Sequence, residues 1–263
     1  MNTAEAALLF GAAVLGGGLN AVAGGGGFLS LLPPLVFASV PPLRANAMIA
    51  VALWPGFLTS TLTRSPLPRP RRWAVSGLLL SSATGAVIGT TLMLHTPPPV
   101  FLHLVPFLIL ATTLLFAASG RLVARRRASG SPTEAASTLP PLTAGVLAAQ
   151  LLIGVYGGYF GANLGLVLLA SLSLAGMRNR HAINVLTTQL ALCNGGVTAG
   201  IYALAGVVLW PQTVVMMAGT IVGGWAGGRF GHRLDGARLH RGIVAAGLTI
   251  SLYLFVRVFV LPT

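Results

Sequence analysis

Six side-chain amides sit where amides are costly. Asn20, Asn46, Asn163, Asn184, Gln189 and Asn194 all lie inside long apolar runs of the 263-residue chain. An amide donates two hydrogen bonds without carrying a charge, which suits the reversible capture of an oxyanion. The plain structural alternative is a bond between neighbouring helices, worth about 0.6 kcal/mol in a membrane interior. Asn46, in "LRANAM", and Asn184, in "HAINVL", occupy matching places in the two halves of the chain, which favours a paired central role. For Asn194 the interhelical bond is the expected role. Two glycine-rich stretches accompany the amides: Gly24, Gly25, Gly26 and Gly27 in "AGGGG", and Gly161 in "GGYFGANLG". A helix broken there leaves backbone N–H and C=O groups unpaired at membrane depth, tolerated only where they line a cavity or meet a ligand. Half-helix N-termini offer free N–H groups and a positive dipole end, so the chemistry is anion binding. Arg44, at the start of an apolar run, could attract the same anion, although an Arg so placed commonly snorkels to the interface.

The missing residue types narrow the chemistry further. The only acids are Glu5, Glu134 and Asp235, all near termini or in loops. Cation pumps and carboxylate proton relays need an acid within the membrane, so transport of a metal cation is disfavoured. No His has a second His or a carboxylate at ligand spacing, and the single Cys193 can form neither an intrachain disulfide nor a thiolate metal site. The chain has no nucleophile-elbow, metalloprotease or nucleotide-binding motif. Neither catalysis nor a cofactor is expected.

These residues need elements that hold them in lipid. Hydrophobic residues make up 55% of the chain and charged residues only 7%, against about 25% charged in a soluble domain. So few charges cannot cover a water-facing surface, and a polytopic membrane protein remains. The net charge is +13 and every basic residue is Arg. Most of these Arg residues stand in short gaps between apolar runs, as topology determinants do, so nucleic acid is not an expected partner. The N-terminus lacks the basic start of a signal peptide, and the first apolar segment is expected to be retained. Apolar runs cover 6–38, 45–63, 73–94, 100–119, 142–176, 183–207, 211–228 and 243–261. Lipid admits only segments with a satisfied backbone, so these runs are read as helices.

The two halves resemble each other at an offset of 138: Gly16 onward lies over Gly154 onward, Asn46 over Asn184, and Gly85 and Gly89 over Gly223 and Gly227. The Arg bias inverts between them. Arg64, Arg69, Arg71 and Arg72 precede one helix of the first half, whereas its counterpart is followed by Arg229, Arg233, Arg238 and Arg241. By the positive-inside rule the halves have opposite orientation. The expected fold is an all-α polytopic membrane protein of two inverted-topology repeats, 1–120 and 142–263, joined by a cytoplasmic linker at 121–141. Each repeat is expected to hold one Gly-broken, re-entrant segment and three spanning helices, about eight hydrophobic segments in all, with eight ordinary spans as the competing count. The glycines at 223, 227 and 231 are spaced for close helix packing, within the chain or between copies, which leaves a homodimer open.

"GLNAVAGGGGFLSLLPPLVFASVPPLRANAMIAVALWPG" and "LLIGVYGGYFGANLGLVLLASLSLAGMRNRHAINVLTTQLALCNGG" resemble the two signature regions of the sulfite exporter TauE/SafE family of membrane transporters. The resemblance covers nearly the whole chain, most weakly at 121–141. It implies a secondary transporter, an exporter of small anions such as sulfite, sulfonates or other organosulfur acids, in the bacterial inner membrane. Where the family often carries Lys near "AINVL", this chain reads Leu186-Thr187-Thr188-Gln189, so Gln189 keeps polarity without charge. The two broken segments and the helices of Asn46 and Asn184 are expected to form one central site, exposed alternately as one repeat rocks against the other.

Overall fold

The structure is a computed structural model that describes residues 2–23, 30, 40–62, 72–128, 139–140, 142–177, 179–230 and 236–260. These contain nine α-helices and no strand: α1 Thr3–Ala23, α2 Pro42–Leu62, α3 Arg72–His95, α4 Pro98–Ala128, α5 Ala144–Tyr159, α6 Leu164–Leu174, α7 Arg180–Leu204, α8 Trp210–Phe230 and α9 Gly236–Phe255. A π-helical turn, Val256–Val260, extends α9.

Local chemistry accounts for the helix ends. Pro42 and Pro98 open α2 and α4, where a missing N–H costs nothing. Thr143 and Asn179 cap α5 and α7 by accepting from the N–H groups of Val146 and Ala182, satisfying donors with no partner inside the helix. α1 runs from Thr3 to Ala23; Gly24, Gly25, Gly26 and Gly27, next in the chain, lie outside the described residues. Two boundaries differ from the sequence expectation. α4 continues to Ala128, so the first part of the 121–141 linker is helical; "GRLVARRRA" is rich in good helix formers, and the helix outruns the membrane. α1 has 21 residues, about 32 Å at 1.5 Å per residue, which is the length of a full crossing rather than of a re-entrant half-helix.

Helix starts repeat along the chain: α2 and α7, α3 and α8, and α4 and α9 each begin 138 residues apart (42 and 180, 72 and 210, 98 and 236). Packing repeats with them. α1 lies along α8 and α5 lies along α3, so each half's first helix packs against the other half. α2 packs on α8 and α3 on α7, while α2 meets α7 and α4 meets α9. Close backbone approach sets the two long crossings. A Cβ on Gly223 would stand 2.1 Å from the Val14 carbonyl oxygen, and one on Gly85 2.3 Å from that of Leu151. Gly223 and Gly227 are thus occupied within the chain, against α1.

Contacts also give direction. Asn46 meets Tyr202 while Trp54 meets Leu192, so α2 and α7 run antiparallel. Pro106 meets Ser251 while Thr113 meets Gly247, so α4 and α9 do too. α3, α5 and α7 are parallel: Ser82, Gly154 and Asn194 meet at one level, and Thr90, Gly158 and Thr198 at the next. α5 and α7 therefore start at the same face, and the chain between them enters and returns. The same directions gather Arg72, Arg121, Arg125, Arg126, Arg127, Arg180, Arg229, Arg238 and Arg241 at one face, with Arg44 and Arg257 at the other.

Among the described residues, four helical segments are long and apolar enough to cross a membrane: Thr3–Val22, Ala74–His95, Pro98–Leu115 and Arg241–Val260. α2 and α7 have the length but carry Asn, Thr, Gln and Pro in place of Leu and Val. Their position explains this. Leu15, Leu80, Phe107, Trp225 and Leu252 on the outer helices are exposed, whereas the exposed large apolar residues of α2 and α7 are confined to their ends. The outer helices face lipid; α2 and α7 face protein, where polar side chains find partners.

Candidate functional site

The segment 144–174 is broken at residues 160–163. α5 has 16 residues and α6 has 11, about 24 and 17 Å long against a hydrocarbon core of about 30 Å. Neither crosses alone. The turn between them uses Gly161 at φ 69° and Asn163 at φ 62°, left-handed conformations that Gly adopts freely and Asn better than most residues. Asn163 is buried, and its Nδ2 donates to Thr112 Oγ1 on α4 at 3.3 Å. It stands at the N-cap of α6 without a side-chain cap bond. The Tyr156 hydroxyl donates to the Ala162 carbonyl and braces the turn from below.

The far end of α5 presents carbonyls that no later turn of helix can satisfy. Side chains from three helices do so. Asn46 Nδ2 donates to the Tyr159 carbonyl at 3.0 Å and to the Tyr202 hydroxyl at 3.2 Å. The Tyr202 hydroxyl donates on to the Gly158 carbonyl at 3.4 Å, and Thr90 Oγ1 donates to that same carbonyl at 3.2 Å. Thr90 also contacts Thr198 Oγ1 at 3.2 Å. Phe101 packs edge-on to Tyr159 and tilted against Phe160. The result is an uncharged, hydrogen-bonded end to α5. α5 ends there with its negative dipole end met by donors, and α6 begins there with its positive end inside the protein, the Leu164 and Leu166 N–H groups donating to the Gly161 and Asn163 carbonyls.

The structure brings together three of the sequence candidates: Asn46, Gly161 and Asn163. In this conformation both donor positions of Asn46 serve protein acceptors. Arg44 lies in the first turn of α2 and is exposed. Asn184 is half-buried in the first turns of α7, 18 residues from Tyr202, about 27 Å along the helix; because α2 and α7 are antiparallel, it cannot share a level with Asn46. Asn20 is half-buried near the end of α1, toward the opposite end of α2 from the α5 break. Gln189 is half-buried, with its Oε1 enclosed and without a partner among the described residues. Asn194 bridges helices, as expected, donating to the carbonyls of Ser82 and Gly154. Sequence reasoning missed Thr90, Thr198 and Tyr202. A signal existed: Thr187, Asn194, Thr198 and Tyr202 follow one another at intervals of seven, four and four, a polar stripe at helical period. Gly157, Gly161 and Gly165 are spaced four apart in the sequence, but Gly161 is part of the turn, so the three do not form one helical packing face.

Among the described residues no group of His, Cys, Asp and Glu could hold a metal ion. The family model of the sulfite exporter TauE/SafE matches residues 9–254. The chain is 28% identical over 262 residues to "Probable membrane transporter protein ORF9" of Sinorhizobium sp., covering 98% of this chain and 93% of that one. It is 28% identical over 223 residues to a "Probable membrane transporter protein" of Haemophilus influenzae, covering 82% and 81%. Over 232 residues it is 27% identical to "Probable membrane transporter protein YfcA" of Escherichia coli K12, covering 84% and 79%. No solved structure matches. A multi-pass helical membrane protein matched by the family model from residue 9 to residue 254, this chain belongs to the sulfite exporter TauE/SafE family of membrane transporters.

Proposed function

We propose that the protein is a secondary carrier that exports small sulfur-containing oxyanions, sulfite or organosulfonates, across the bacterial inner membrane. The observation that carries this reading is the break between α5 and α6: two half-length helices meeting at a buried, uncharged turn, with the positive end of α6 inside the protein. Backbone N–H groups and amides bind an oxyanion without holding it as tightly as a fixed cation would, which favours release. The sulfur chemistry rests on the family alone.

The carrier is built from two inverted repeats. Their support is the pairing of equivalent helices, α2 with α7 and α4 with α9, each crossing its counterpart antiparallel. The Arg-rich face is cytoplasmic by the positive-inside rule. The α5 break lies toward the opposite face and the end of α1 toward the cytoplasm, so each repeat guards one side, and rocking one against the other exposes them in turn.

The test is sulfite flux in proteoliposomes against a competing panel of sulfonates, sulfate, thiosulfate and carboxylates. Saturable uptake with counterflow, blocked by part of the panel, is the expected result. Unsaturable flux without counterflow means a channel. A chain that moves nothing on the panel but copurifies with a partner is a subunit, and the carrier reading is then wrong.

A further inference from the structure

The seam where α3, α5 and α7 run parallel holds polar atoms that the break does not use. Gln150 Nε2, Thr187 Oγ1, Ser82 Oγ and Asn194 Oδ1 are enclosed and have no hydrogen-bond partner among the described residues. Their residues are 3%, 7%, 1% and 1% exposed. A buried polar group without a partner costs about 1–3 kcal/mol, and native proteins carry only a few per 100 residues. Four on one three-helix seam call for a reason.

Their placement supplies one. On α7 the stripe Thr187, Asn194, Thr198 and Tyr202 faces one direction, since steps of seven and four return to the same side of a helix. On α5 Gln150 stands one turn before Gly154, whose carbonyl meets Asn194. Parallel helices therefore set Gln150 one turn below Asn194, with Thr187 on the turn beneath, nearer the Arg-rich face. Ser82 stands level with Asn194, and Thr90, Thr198 and Tyr202 lead on to the α5 break. Gly157 keeps the upper part narrow: a Cβ there would stand 2.5 Å from Asn194 Oδ1. The unpartnered groups include the amide of Gln150 and the hydroxyls of Thr187 and Ser82, which are donors. No charged residue interrupts the series.

We propose that Thr187, Gln150 and Ser82 form a second oxyanion site, a donor track through which the anion passes from the cytoplasmic face to the α5 break. This deepens the carrier reading and rests on it. The α3–α5–α7 seam must part to admit the anion, and its unpartnered donors make the closed seam easier to open. Function and stability then pull in opposite directions at these positions.

That opposition is the test. Gln150→Leu and Thr187→Val remove a donor with little change of volume. Each variant is reconstituted for sulfite flux over a concentration series, or flux of whichever panel anion the parent carries best, and its melting temperature is measured in detergent. The expected result is a KM raised tenfold or more with a melting temperature equal to or above the parent's, while Thr187→Ser, which keeps the hydroxyl, retains near-parent KM. Flux within twofold of the parent in both removal variants overturns the proposal. So does a fall in flux that tracks a fall in melting temperature, since the donors are then structural. A parent inert on the whole panel fails the carrier reading instead, and the track with it.

Discussion

Gly89 gives the sharpest test of how α3 and α5 pack. A Cβ at this position would lie 2.0 Å from the Val155 carbonyl oxygen and 2.8 Å from the Tyr159 nitrogen. Both are backbone atoms on α5, so no side chain can turn aside. Restoring a tolerable contact separates the helices by about 1 Å locally, because a packed interior has no slack to absorb the methyl. The bond from Thr90 Oγ1 to the Gly158 carbonyl, now 3.2 Å, then leaves hydrogen-bonding range. Overpacking costs about 1–3 kcal/mol and the lost interhelical bond about 0.6 kcal/mol. Gly228 offers a control in another helix, where an added Cβ would meet nothing within 4 Å. Both Gly→Ala changes gain the same helix propensity, about 1 kcal/mol, so it cancels in the comparison. Gly89→Ala is expected to be less stable than Gly228→Ala by about 1.5–3.5 kcal/mol, or roughly 3–14 °C in melting temperature. Fluorescence-detected size-exclusion chromatography after heating measures both. Indistinguishable melting temperatures would refute the crossing and the helix register drawn from it.

Three further outcomes are expected. At Asn163, φ 62° tolerates Gly but strains a β-branched residue by about 1–2 kcal/mol; Asn163→Val should lower melting temperature and flux more than Asn163→Gly, and the reverse order would count against the left-handed turn. Antiparallel α4 and α9 place Ala128 and Val260 at opposite faces; in a Cys193→Ser background, cysteines introduced there should react with a membrane-impermeant thiol reagent from opposite sides, and labelling of both from one side would sink the inversion. Asn184 stands three residues before Thr187, toward the Arg-rich start of α7 where the proposed track opens; Asn184→Leu should lower flux with membrane expression intact, and near-normal flux would remove Asn184 from the transport path.

Much of the fold was legible because lipid leaves the backbone few choices. A segment of about 20 apolar residues must be a helix, and the positions of Arg assign its ends. That is why the helix series, the 138-residue repeat and a break within 157–165 could all be read from residue types. The length of α1 was not legible. Glycine marks where a helix can end, but Gly11, Gly16, Gly17 and Gly18 all lie inside α1, which has the length of a full crossing. The end of α4 was also misjudged, since Arg-rich helix outside the membrane resembles a linker in hydropathy while keeping good helix propensity.

The candidate site divides along the same line. Sequence alone determined which residues are polar within lipid and which backbone positions can break: Asn46, Gly161 and Asn163 were all named on that basis. Tertiary structure decided their company. Sequence equivalence placed Asn46 and Asn184 together, yet antiparallel packing of α2 against α7 sends equivalent residues to opposite ends of the pair. It also decided that Asn46 caps the end of α5, with Tyr202 and Thr90 sharing the work. A hydrogen bond is a relation between two groups, and one strand of letters records only the donor's capacity. Which carbonyl receives the proton depends on how far apart two helices cross, and that is set by glycines elsewhere, at 85, 89, 154 and 158, acting through backbone contact.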